Sequence, residues 1–579
     1  EHGGSEIRAA EDRHGAVAAS RAPWWAGAGA RGRRGYVTLL GGGAVTLAAL
    51  VLYSLTLSPD LAWANQAADG GDLLAAAHTG GVPHPSGYPT YMMLLRVFDA
   101  AVPFGSAAFT GNLFSALSAA LSSGMLFATV MRARRYLPLG RRTDDGRVLL
   151  IAPAALLAAL AFAASRELWS QATVTEVYAL NAFFASGVLY AAVALRRRID
   201  DGQGTGKAGI ATGLLLGVGL GNHLTLLAVA VPALLWALSG GTATGLWARA
   251  VLILRRSWPV ALGAVAGLTV YLYLPVASAN EPPINWGHPH TLEGFWWLVS
   301  GSLYRGYVLA VESGDMVGRA LRLLDMLFSQ YTAIGVLLGL AGLARLWESQ
   351  RALAVSGAAT VLLLAAYAVT YRTSDSYLYL IPAFMIWAVW MAVGAMDVFR
   401  GVWTMALEQG KARKWVSPRR GVLVASAALL AVVPGFSVAT NFAGMDLSGE
   451  HGAGEYADAV FASVEPDSII LARTGKTIFS LWYQGYVEEP DSDVMVVSTP
   501  HLFLDWYWED LERQYPDRLP ESKPDDGGGR TDAIIDYNMG LRALYETDRS
   551  RDPLSEFTYE PVDTGFASPE VETLMRIRP

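Results

Sequence analysis

The chain has 579 residues, 53% of them hydrophobic and only 16% charged, with a mean hydropathy of +0.31; an ordinary soluble protein is about 25% charged. That much apolar surface excludes a soluble globular enzyme and implies several membrane spans. Residues 441–579 hold 28 of the 51 acidic residues but 11 of the 44 Lys and Arg, a net charge of −17, which leaves +10 on residues 1–440. The chain is therefore a basic, hydrophobic body followed by an acidic tail. Its positive charge lies between apolar runs and forms no continuous basic face, which argues against a nucleic-acid partner. With no cysteine, disulfides and metal–thiolate sites are excluded.

Residues 1–35 mix Gly, Ala, Arg and Glu without periodicity and read as a disordered cytoplasmic leader. The apolar run 36–57 follows Arg31, Arg33 and Arg34. It is long enough to span and ends without a small-residue cleavage site, so it reads as a first helix with its N-terminus inside. The positive-inside rule then orders further spans at 110–131, 148–165, 177–195, 257–279, 332–347, 352–371, 377–397 and 421–440. Run 208–238 carries Asn222 and His223 at its middle. As one helix it would put Arg249, Arg255 and Arg256 outside; as a hairpin, 208–221 and 224–238, it keeps them inside. The hairpin is preferred. The total is eleven transmembrane helices, a mainly α, polytopic body over 36–440. Two external loops, 58–109 and 280–331, are rich in Pro, Trp, Tyr and His; the first reads as short interfacial helices joined by turns. The tail, 441–579, reads as a small extracytoplasmic α/β domain, with strands near 468–472 and 493–498 and a mobile loop at 517–531.

Chemistry-bearing residues cluster in the outer segments. Asp69 and Asp72 stand at i, i+3 before an apolar helical run. By spacing alone that pattern reads first as helix capping, with a general base or a metal-binding pair at the membrane surface as the sharper alternative. His84 and Tyr88 lie in a Pro-rich hexapeptide, a rigid turn that can hold an imidazole or a phenol beside a reacting group. Glu176, Tyr178 and Asn181 open a span, where capping and an aromatic belt are the plain alternatives. Asn222 and His223 sit at the hairpin tip, and Asn285, Trp286 and Arg305 lie in the second loop. An outward arginine such as Arg305 can clamp a phosphate or contact a lipid headgroup; Arg372, before Asp375, poses the same question. Two acids and several histidines leave room for a divalent metal, but no run has metal-site spacing.

Taken in order, these clusters resemble the transmembrane protein 260-like family of GT-C-type glycosyltransferases, whose characterised members are protein O-mannosyltransferases. The resemblance rests on Ser58-Pro59, Asp69-Gly-Gly-Asp72, His84-Pro-Ser-Gly-Tyr-Pro89, Asn112 to Ser115, Trp169-Ser-Gln171, Glu176 to Asn181, Gly221-Asn222-His223-Leu-Thr225, Tyr271 to Pro275, Asn285-Trp286-Gly, Phe295-Trp-Trp and Tyr377 to Pro382. It spans about 36–400 and leaves the tail uncovered. Ser86, where the family usually has proline, and Asp72, where glutamate is common, depart from it. The resemblance implies a GT-C fold with its active site on the extracytoplasmic face. A sugar, mannose by analogy, would pass with inversion from a polyprenyl phosphate to an acceptor hydroxyl, on Ser/Thr of an exported protein or on a glycan. In that frame Asp69 is the expected base, with Asp72 supporting it or exchanging roles. Arg305, His84 and His223 would meet the lipid phosphate, while Tyr88, Tyr178, Glu176, Asn222, Asn285 and Trp286 would shape the pocket. A transporter or lipid flippase shares the hydropathy, yet no internal repeat is visible and the polar residues cluster outside the bilayer core.

Overall fold

The computed structural model describes residues 30–138, 144–241, 245–412, 417–547, 557–569, 571 and 573–579. Residues 1–29 of the expected leader lie outside the described residues, as do Arg141, Arg142, Arg413 and Lys414 of the basic loops; residues 30–35 already belong to the helix Ala30–Leu55. The protein is mainly helical and multi-pass. Among the described residues eight helices are long and apolar enough to cross a membrane, and a ninth span forms if Val148–Ala163 and Arg166–Ala172, bent by 60°, are counted together. Two shorter apolar helices, Gly206–Leu220 and Leu226–Leu238, complete the eleven segments expected from the sequence.

Those two helices settle the hairpin question. Gly206–Leu220 packs closely on Leu246–Gly267 at glycines of both helices. A Cβ at Gly213 would lie 1.9 Å from the Val260 carbonyl oxygen, and one at Gly217 2.3 Å from that of Ala264. From the other side, Gly263 meets Ile210 and Gly267 meets Leu214. The paired positions advance together, so the two helices run parallel, and the chain must return between them. Leu226–Leu238 makes that return after a break at Gly221–Thr225. Small residues allow this approach where lipid offers no hydrophobic driving force between helices.

The first external loop folds as short helices, Gly70–Thr79 and Pro89–Ala101. Gly80, left-handed at φ 75°, ends the first; Pro89 opens the second with its φ already set. Much of the expected motif set is scaffolding for the segment that leads to Asp69. The Trp169 indole donates to Thr56 Oγ1 (2.8 Å), Gln171 Nε2 to the Asn65 carbonyl (2.8 Å), and Asn112 Nδ2 to the Ser58 and Asp60 carbonyls (2.9 and 3.0 Å).

The tail contains a five-stranded sheet in the order β2-β1-β3-β5-β4, where β1 is Ile469–Ala472, β2 Met495–Ser498, β3 Leu544–Glu546, β4 Thr558–Pro561 and β5 Met575–Arg578. The β1 pairings with β2 and β3 are parallel, and those of β5 with β3 and β4 antiparallel. The stretch expected as a mobile loop, 517–531, instead holds the start of the helix Gly527–Asn538, capped by Asp526 onto the Gly529 amide. This domain packs directly on the first loop. A Cβ at Gly71 would sit 2.2 Å from the Phe479 carbonyl oxygen, so only glycine fits there. The Trp63 indole donates to Ser480 Oγ (3.0 Å), and the Ala108 amide to Tyr483 Oη (3.2 Å).

Candidate active site

The loops and helix ends enclose a polar cavity of about 580 Å³. Asp69, His84, Glu176 and Asp375 line it, and Arg305 and Arg372 stand on its wall as well. Asp69 occupies the N-cap position of Gly70–Thr79 but makes no capping hydrogen bond. Its side chain keeps 47% of its surface open to the cavity, so the carboxylate is available to something other than its own helix. Enclosure by protein pushes its pKa up, the His84 charge pulls it back, and the neighbouring Asp72 and Asp375 charges push it further up.

His84 is held between two carboxylates. Its Nδ1 donates to Asp72 Oδ2 at 2.7 Å, and its Nε2 lies 3.5 Å from Asp69 Oδ2. Burial opposes its charge, but Asp69 and Asp72 together outweigh burial and raise its pKa. Asp72 does not reach the cavity. Besides His84 Nδ1 it accepts from the His84 backbone amide (2.9 Å) and, on Oδ1, from the Trp286 indole (2.9 Å), and it is fully buried. The expected exchange of roles with Asp69 does not fit this geometry: three donors engage Asp72 and hold it behind His84, away from the cavity.

The other expected site residues divide in the same way. Tyr88, Glu176, Tyr178, His223 and Arg305 line the cavity. Asn222, Asn285 and Trp286, expected to shape the pocket directly, are buried behind its wall. Asn222 Nδ2 ties down the Val177 carbonyl (3.1 Å), Asn285 pairs with Val82 in an isolated bridge, and Trp286 clamps Asp72. Glu176 does cap its helix, accepting from the Val177 amide at 3.3 Å, while it also faces the cavity. Burial and the charges of Asp69 and Asp375 raise its pKa. His223 is pushed down to about 4, burial being the main cause. With its Nδ1 accepting from the Thr225 amide (3.3 Å), it is a neutral imidazole, which could meet a phosphate by hydrogen bonding rather than by charge.

Two contributors carry little sequence signal. Asp375 accepts from Tyr178 Oη at 3.0 Å, and Tyr304, on the loop before Arg305, faces the same space. Arg305 is steadied by Ser300 Oγ (2.6 Å). Among the described residues neither Arg305 nor Arg372 is paired with a carboxylate. The cavity lining thus combines the carboxylates Asp69, Glu176 and Asp375 with two guanidinium groups. Among the described residues, no group of three or more His, Asp or Glu is arranged to hold a metal ion.

Residues 69–242 match the family model described as the protein O-mannosyl-transferase TMEM260 N-terminal domain, and residues 453–524 match TMEM260-associated domain 2. Over these two stretches the chain is similar to the TMEM260 family. The second match corrects the expectation that the resemblance stops before the tail. The TMEM260 protein O-mannosyl-transferase of Mus musculus is 27% identical over 511 residues, covering 87% of this chain and 67% of the mouse protein. That of Dictyostelium discoideum is 24% identical over 310 residues, covering 51% of this chain and 35% of its own length. In fold this TMEM260-like chain is similar to ArnT from Cupriavidus metallidurans, solved apo and with undecaprenyl phosphate bound. Both have a TM-score of 0.54; identities are 16% and 14%, and 93% and 92% of this chain is covered, against 98% and 97% of ArnT. The GT-C-like architecture is shared.

Proposed function

We propose that the protein is an inverting membrane glycosyltransferase that moves a sugar, mannose by analogy with its relatives, from a polyprenyl-phosphate donor to a hydroxyl on Ser/Thr of an exported polypeptide. The observation that carries this reading is Asp69, an uncapped carboxylate opening onto a cavity that Arg305 and Arg372 also line. Asp69 takes the proton of the acceptor hydroxyl as its oxygen attacks the anomeric carbon. The bond from that carbon to the phosphate oxygen breaks on the opposite face, and polyprenyl phosphate leaves. The leaving phosphate needs charge stabilisation rather than a strong acid, and the two guanidinium groups supply it by bidentate hydrogen bonds. His84, charged between its two carboxylates, keeps Asp69 in its ionised, proton-accepting form. Asp72 and Trp286 fix the orientation of His84. The positive-inside charge bias of the loops supports a reading in which this cavity and the tail domain are extracytoplasmic and the N-terminus cytoplasmic.

Mass spectrometry of exported proteins from cells with and without the gene tests this reading. Loss of hexose from Ser/Thr on deletion is the expected result. An unchanged glycan inventory, with a defect in lipid or solute movement instead, would support a transporter and refute it.

A further inference from the structure

Trp286, whose indole N–H holds Asp72, stands among aromatic rings that the tail domain supplies. His501 meets the indole edge-to-face with ring centres 4.6 Å apart, Trp506 lies at 5.7 Å, and Phe479 and Trp482 lie at 6.3 and 6.4 Å. Phe479 also stacks on the His84 ring at 6.5 Å. The His501 ring is itself fixed, its Nδ1 lying 2.7 Å from Ser498 Oγ. Burial pushes the His501 pKa down to about 4, against an upward pull from the Asp72 charge. Near neutral pH the ring therefore acts on Trp286 by shape and not by charge.

The backbone that carries Trp286 is gripped by the tail as well. His288 Nε2 lies 3.0 Å from Asp510 Oδ1, Gln514 Nε2 donates to the Pro283 carbonyl at 3.3 Å, and Arg513 reaches Glu281 at 3.6 Å. The same segment pairs with the turn that leads to His84. The Val82 amide donates to the Ile284 carbonyl (2.8 Å) and the Trp286 amide to the Val82 carbonyl (3.2 Å). Residues 281–288 thus form a strip between the tail domain and the Asp72–His84 pair.

We propose that the tail domain is a working part of the active site: His501 and Trp506 are positioning residues that hold the Trp286 indole against Asp72, and through Asp72 keep His84 beside Asp69. This rests on the glycosyltransferase reading above. Among the described residues none of the tail lines the cavity, so the tail contributes to the rate of the chemical step and not to the binding of either substrate. An indole free to tilt loses its 2.9 Å bond to Asp72 Oδ1, because a hydrogen bond weakens steeply with misalignment. Asp72 then no longer fixes the imidazole, and small displacements of groups that orient a catalytic residue are costly in rate.

His501→Leu fills the space but removes the ring, and His501→Phe restores a ring. Steady-state transfer from polyprenyl-phosphate mannose to a Ser/Thr-rich peptide is measured on the whole chain for each variant, with both substrates varied, and for His501→Leu combined with Trp286→Phe. The expected result for His501→Leu is a kcat about tenfold lower with both KM values unchanged, and for His501→Phe a kcat within about twofold of the wild type. Added to Trp286→Phe, His501→Leu should lower kcat by less than about twofold further, because the indole bond it acts through is already gone. Trp506→Leu passes through the same cycle with the same expectation and decides the matter if His501→Leu does not fold. An unchanged kcat for His501→Leu, in a protein whose wild type transfers sugar, would overturn the positioning role and leave the glycosyltransferase reading intact. So would two losses that multiply in the double variant, the pattern of an effect independent of Trp286. A wild-type protein that transfers no sugar would remove both.

Discussion

Replacing His84 by Gln removes the cation beside Asp69 while keeping a neutral donor for Asp72. At the 3.5 Å separation of His84 Nε2 and Asp69 Oδ2, two unit charges attract by about 1.2 kcal/mol at the dielectric of water and about 4.7 kcal/mol at an effective value of 20. That attraction favours the ionised carboxylate, so the Asp69 pKa rises when the charge goes. Because 47% of the Asp69 side chain is open to the cavity, the attraction lies toward the lower of the two figures. The sign follows from the chemistry: the base works ionised, so a higher Asp69 pKa moves the acidic limb of kcat/KM to higher pH. The assay is the pH profile of sugar transfer in proteoliposomes, with donor saturation checked at each pH. An acidic limb that stays in place, or moves to lower pH, would refute the charge coupling between His84 and Asp69.

Further outcomes follow from the same contacts. Trp286→Phe strips a donor from buried Asp72 Oδ1, a loss of about 1–3 kcal/mol for an unsatisfied buried acceptor; kcat should fall with little change in the donor KM, as read by steady-state kinetics. Gly71→Ala forces a Cβ against the Phe479 carbonyl and should cost about 1–3 kcal/mol of packing, seen as a lowered Tm together with easier proteolysis between the membrane body and the tail domain. Arg305→Ala combined with Arg372→Ala should raise the donor KM and sharply reduce kcat, and inorganic phosphate should inhibit the double variant less than the wild type.

The span pattern was legible because helix length and loop charge follow from the bilayer itself. The hairpin at 208–238 could be inferred from arginine placement, and the parallel glycine contacts of Gly213, Gly217, Gly263 and Gly267 give its physical basis. Asp69, His84, Tyr88 and Glu176 could be picked out because several polar clusters recur in order along the outer segments. The difference between Asp69 and Asp72 could not. Helical spacing puts both on one helix start, and only the loop bearing Trp286, more than two hundred residues away, determines that Asp72 points inward. Asp375 and Tyr304 share this difficulty, since nothing local ties them to Asp69. The role of the tail was equally hidden: its acidity suggested a separate domain, whereas Phe479, Ser480 and Tyr483 pack it against the loop that carries Asp69. The charge state of His223 was hidden too, because burial, which keeps it neutral, is invisible in the sequence.

The most direct test compares wild type with Asp69→Asn in purified form, with polyprenyl-phosphate mannose and a Ser/Thr peptide, while donor binding is measured in parallel. Loss of general-base catalysis predicts a transfer rate about 10²–10⁴-fold lower with donor affinity retained. Transfer at the wild-type rate by Asp69→Asn would contradict the assignment of Asp69 as the base.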